Sequence, residues 1–183
     1  MHRRAKQILD QFADAEGGLT SDDFDVLMKQ TAKPVPWAYD IWDVMVAGLT
    51  DQDNHRRSIA AQVLCNLALS DPKKRILKDL DALMVVTHDA RFVTARHSLN
   101  ALWRIGLAGK KQRAVVVDRL AKRFAEAADE KNGTLIRYDI AVSLRNLFDA
   151  VKDESIKTTA LALIATKTDE KYRKKYATAW RGA

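Results

Sequence analysis

Apolar residues recur three and four positions apart in segments of roughly 12–18 residues, the helix period. Ile59, Ala60, Val63, Leu64, Leu67 and Ala68 make one such stripe. Leu99, Leu102 and Ile105, with Ala101 beside them, make a second, and Ile136, Ile140, Ala141, Leu144, Leu147 and Phe148 a third. Breakers fall between the segments at Gly17-Gly18, Pro34, Pro36, Gly48, Pro72, Gly106, Gly109 and Gly133. No segment alternates apolar and polar residues long enough to read as a strand. The pattern predicts an all-α chain of ten helices, near 2–15, 21–31, 36–48, 54–69, 72–86, 90–106, 110–128, 134–151, 153–166 and 169–180.

Start and stop signals agree with this division. Thr20-Ser21-Asp22-Asp23 and Asp51-Gln52-Asp53-Asn54 are rich in side chains that accept from free helix N–H groups. Ser70-Asp71-Pro72 adds a proline at the first helical position, where a missing N–H costs little. Gly106, Gly109 and Gly133 suit helix exits followed by short loops.

Three of the segments superimpose as strings: Arg56–Leu67, Thr94–Ile105 and Ile136–Leu147. In that register Leu64, Leu102 and Leu144 coincide, each followed three residues later by Leu67, Ile105 and Leu147, and preceded by Val63, Ala101 and Ser143. The offsets are 38 and 42 residues, the spacing of helical-hairpin repeats. Asp53, Asp89 and Asn132 precede the three strings.

These strings resemble the HEAT/armadillo-like family of α-solenoid repeats, whose pattern combines an acidic residue, an apolar–Arg pair, small mid-helix residues and Ala-Leu-x-x-Leu/Ile. Ile136-Arg137 matches the pair, Arg56-Arg57 keeps the arginine, and Thr94-Ala95 lacks it unless Arg96 substitutes. The likeness is clearest over 50–151. It implies one domain over 1–183, an α-α superhelix of about five hairpins in which the second helix of each lines a concave face. Stacked units of this kind need polar outer faces at both ends, and His2–Lys6 and Lys171–Lys175 supply them.

Composition narrows the class. With 183 residues, 47% apolar and 30% charged, the chain can bury a core and lacks the signature of disorder. Three prolines and seven glycines exclude collagen-like and low-complexity chains. No apolar run approaches the ~18–20 residues of a membrane span, so no membrane partner is expected. The start from Met1 to Asp10 shows no secretory pattern. A single cysteine, Cys65, forbids an intrachain disulfide and points to a reducing, cytoplasmic setting.

Charge is unevenly placed. Residues 11–53 carry nine acids against Lys29 and Lys33, a balance of −7, whereas residues 54–183 carry 26 basic and 14 acidic groups, a balance of +12. A basic field of that size attracts anionic partners, although an excess of one sign also simply keeps a protein soluble. Two clusters sharpen the first reading: Lys73-Lys74-Arg75, and Lys110-Lys111 with Arg113, each at the expected start of a hairpin's first helix. Cations there oppose the helix dipole but enlarge an anion site formed by free N–H groups. Stacked hairpins would gather both clusters on one basic edge. On the expected concave side Asn66, Asn100, Arg104, Arg145 and Asn146 form a row able to hold a peptide backbone or phosphates. Solvated helix faces are the alternative for both sets, and Arg57 and Arg137 read as structural, bonded to an acid or amide a turn earlier.

No phosphate-binding, dinucleotide or nucleophile-elbow fingerprint is present. His2, His55, His88 and His97 share no metal spacing with one another or with Cys65, so no metal or cofactor is expected. Trp37-Ala38-Tyr39-Asp40-Ile41-Trp42-Asp43, followed by Arg56-Arg57, is similar to a stretch of HEAT-like DNA alkylation-repair glycosylases. That likeness would assign Trp42, Asp43 and Arg57 to the holding of damaged DNA. Read from the residues alone, Trp37 and Trp42 anchor a core between hairpins. The expectation is a non-catalytic binding or scaffold module whose partner is another protein. The alternative is a nucleic-acid binder related to alkylation repair.

Overall fold

A computed structural model describes residues 1–14 and 19–183; the Gly17-Gly18 turn of the sequence reading lies outside them. All regular structure among the described residues is helical. The ten helices are α1 (Arg3–Ala13), α2 (Ser21–Thr31), α3 (Ala38–Gly48), α4 (Asn54–Leu67), α5 (Ile76–Val86), α6 (Phe92–Ala101), α7 (Lys110–Glu126), α8 (Gly133–Val151), α9 (Glu154–Ala165) and α10 (Glu170–Thr178). Short 3₁₀ turns prolong α4 (Ala68–Ser70), α6 (Leu102–Ala108) and α7 (Ala127–Asp129). No helix among the described residues is long and apolar enough to cross a membrane.

Caps explain many of the starts. The side chains of Thr20, Asp53, Asp153 and Asp169 accept from Asp23, His55, Ser155 and Tyr172 N–H groups. One expected start moves: α5 begins at Ile76, not at 72. Lys74 adopts a left-handed backbone (φ 56°), which no helix tolerates, and Asp71 reaches past it to accept from Ile76 N at 2.8 Å. Ser70 is no cap either; its hydroxyl accepts from Val35 N.

Gly106 does not end α6 as expected. It sits inside the 3₁₀ extension, where a Cβ would lie 2.7 Å from Leu147 Cδ1 of α8. Glycine permits that close approach, and the chain turns at Gly109 (φ 153°), in a conformation open to glycine.

Helices pack in series. The even helices touch in the order α2–α4, α4–α6, α6–α8 and α8–α10, and among the odd ones α1 meets α3, α5 meets α7 and α7 meets α9. Within hairpins α3 packs on α4, α5 on α6, α7 on α8 and α9 on α10. The apolar positions equated in the sequence (Val63, Ala101, Ser143; Leu64, Leu102, Leu144; Leu67, Ile105, Leu147) are buried in every case. They join Trp37 and Trp42, also buried, in one continuous core. At the C-terminal end Tyr176 and Trp180 anchor α10 and its exit, through a hydroxyl donated to Thr134 O at 3.0 Å and an indole N–H donated to Ala141 O at 3.1 Å.

Candidate functional site

Of the row expected along the even helices, the first member is withdrawn from the surface. Asn66 is buried: its amide donates to Met28 O (3.1 Å) and Thr31 Oγ1 (2.9 Å), tying α4 to the last turn of α2. It offers no surface, because α2 covers this side of α4. Asn100 and Asn146 are half-buried; Asn100 donates to Arg96 O at 3.0 Å, and Asn146 has no partner among the described residues. Arg145 is held by Asp149 (2.7 Å) and by the carbonyls of Ala179 and Arg181. Arg104 lies over the Trp103 ring (4.9 Å) and makes one long bond, 3.4 Å, to Asn100 O. Burial pulls its guanidinium below the ordinary arginine value.

The basic edge also changes character. Arg75 caps no anion: it pairs with Asp43 and lies over the rings of Tyr39 and Trp42 at 5.6 and 5.5 Å. Tyr39 in turn donates to Asp71 Oδ1 at 2.5 Å and accepts from Lys73 N, and its phenol is pushed up chiefly by desolvation. The N-terminus of α5 is thus already served by Asp71. Lys73 and Lys74 are exposed and precede α5, so the expected placement in its first turn does not hold. Lys110 and Lys111 do occupy the first turn of α7, exposed, with no side-chain cap at Gly109. Arg113 donates to Gly106 O and pairs with Asp153 at 3.6 Å.

Trp42, Asp43 and Arg57 engage three different partners. The Trp42 indole is fully buried and donates to Asp79 Oδ2 at 2.7 Å. Exposed Asp43 pairs with Arg75. Arg57 forks onto Asp89 (2.5 and 3.0 Å) and donates to the carbonyls of Asp51 and Gln52. Arg137 donates to Phe124 O at 2.8 Å and stacks on that ring, so its partner is a carbonyl and not the expected acid or amide.

Sequence reasoning missed Arg123 and Glu130. Arg123 is fully buried, forks onto Glu130 (2.6 and 2.8 Å) and donates to Thr87 Oγ1 and Thr87 O. These hydrogen bonds, opposed by desolvation, hold the Glu130 carboxyl below the usual range. Arg123 follows Val116 and Leu120 on the apolar side of α7, so a charge on the core stripe was the available signal. With His88 and Asn132 the pair lines a cleft of about 200 Å³.

A second cleft, about 280 Å³, lies beside α2, α4 and α6. Ser58 Oγ there is 3.1 Å from His97 Nδ1, and Gln62 donates to the same oxygen. A hydroxyl on an imidazole is the contact a nucleophile needs, but no third group among the described residues bonds His97 to orient it. The contact reads as a tie between α4 and α6. No cluster of three metal-ligating side chains exists among the described residues. Comparison with family models, curated proteins and solved structures gives no match.

Proposed function

We propose that the chain is a HEAT-like α-solenoid that binds another protein along the face built by its even helices. The observation that carries this reading is the serial contact of α2, α4, α6, α8 and α10, which would set their outer sides into one extended surface. Its middle offers mixed chemistry: Asn100, Trp103, Arg104, Tyr138, Val142 and Asn146 are all half-buried, none wholly solvated or wholly in the core. Aromatic rings and an arginine are side chains that protein interfaces favour.

The experiment is a crosslinking scan. A photo-crosslinker at position 100 or 142 should capture a discrete partner from the native cell, and one at exposed Val85 on α5 should not. Equal capture from both, or from neither, would sink the reading.

A nucleic-acid interface on the basic edge is the second reading, favoured by exposed Lys110 and Lys111 at the uncapped start of α7. Arg75 and Arg113 support it less, since Asp43 and Asp153 already face them. Duplex binding that weakens steeply with salt and is lost in Lys110→Glu with Lys111→Glu would establish it.

A further inference from the structure

Arginines of this protein that are wholly or partly withdrawn from water are matched to carboxylates again and again. Arg57 has Asp89, Arg96 has Asp139, Arg119 has Asp81, Arg123 has Glu130 and Arg145 has Asp149. Arg137 and Arg4 have none, but Arg137 is buried against a carbonyl and an aromatic face, and Arg4 donates to the side-chain amides of Gln30 and Gln7 at 2.9 and 2.7 Å. Arg104 is different. It is half-buried with no carboxylate among the described residues, and its hydrogen bonding amounts to one 3.4 Å contact to Asn100 O. A desolvated cation without a counter-charge is unfavourable to hold.

Its surroundings are suited to a ligand. The contacts Arg96–Asp139 and Gly106–Leu147 bracket the register of α6 and its 3₁₀ extension on α8. Arg104 lies between those two anchors in the chain, half-buried, with its guanidinium over the Trp103 ring at 4.9 Å.

We propose that Arg104 receives a carboxylate of an acidic peptide segment belonging to the protein partner. The guanidinium fork offers two parallel N–H donors, the geometry a carboxylate accepts. A nucleic-acid backbone presents a charge every few ångströms and needs a run of free cations. Here Arg96 and Arg145 are already taken by Asp139 and Asp149, and the groups that touch Arg104 are Asn100 O and the Trp103 ring. One unpaired arginine matches one acidic side chain. The inference rests on the protein-binding reading and adds the chemistry of the partner to it.

The test titrates the full chain, ¹⁵N-labelled, with three probes: a dodecapeptide of alternating Glu and Ala, the same peptide with Gln for Glu, and a 12-bp duplex. The Glu peptide should shift the Arg104 Nε–H signal, and the Gln peptide should not. Arg104→Met should weaken the Glu peptide at least tenfold and raise Tm by several degrees, because the uncompensated charge is gone. Arg104→Lys, which keeps the charge but loses the fork, should also bind more weakly. A lower Tm in Arg104→Met, or unchanged affinity, overturns the inference and makes Arg104 structural. Shifts elsewhere on the even helices that ignore Arg104 would overturn it too, while leaving the protein-binding reading intact. A response to the duplex alone would remove both.

Discussion

Arg57 of α4 forks onto Asp89 at the foot of α6, its Nε 2.5 Å from Oδ2 and its Nη2 3.0 Å from Oδ1. Both ends are largely buried, and the same arginine gathers the carbonyls of Asp51 and Gln52 that lead into α4. One side chain thus fixes a loop and ties one hairpin to the next. Arg96 repeats the gesture from α6 to Asp139 of α8.

The Arg57 contact predicts a pH dependence. Hydrogen bonds from Arg57 hold the Asp89 carboxyl below the usual aspartate range. A carboxyl whose pKa falls on folding contributes stability above its unfolded value, about 3.9, and loses it as pH drops through the folded value. Asp89→Asn should therefore be less stable than wild type in urea at pH 7, and the gap should begin to close only as pH falls below about 4. A gap independent of pH would contradict this.

Removing either half of the Arg123–Glu130 pair should not be equivalent. Glu130 is partly solvated and can return to water, whereas Arg123 is fully buried. Glu130→Ala should cost more than Arg123→Met, about 3 kcal/mol, because it strands a buried guanidinium. Chemical denaturation of both variants checks the order.

Gly106→Ala should destabilise by about 1–3 kcal/mol, since the new methyl would meet Leu147. Leu147→Val should recover part of that loss in the double variant, a non-additivity a thermodynamic cycle can read.

Trp180 holds the C-terminal end. Trp180→Ala should speed hydrogen exchange across α10 while leaving α4 and α6 at wild-type rates. Uniform acceleration would mean that α10 is not a separately released unit.

Cys65 is buried, and burial pushes its thiol up to about 12. It should resist a thiol reagent at pH 8 in the native protein and react only at the rate of unfolding.

The helices were legible because apolar spacing is local information. Leu64, Leu102 and Leu144 reveal themselves by period and fall where they should in the core. What the period hides is which polar residue on a helix faces a neighbour. Asn66 and Arg104 occupy equivalent positions in the aligned strings, yet α2 covers the first and leaves the second half-open. Arg75 likewise looked like a free cation because Asp43 and Tyr39 lie 32 and 36 residues away in the chain. The start of α5 was misplaced for a related reason: Asp71 caps across an intervening left-handed lysine, a path no local cap pattern encodes.

Among the even helices, the principal contacts run only between nearest neighbours. Mechanical tension applied between the two termini would then load those interfaces in sequence, not all at once. Stretched by its ends, the molecule should lengthen in steps, yielding first at the C-terminal end around α10 and last around α4 and α6.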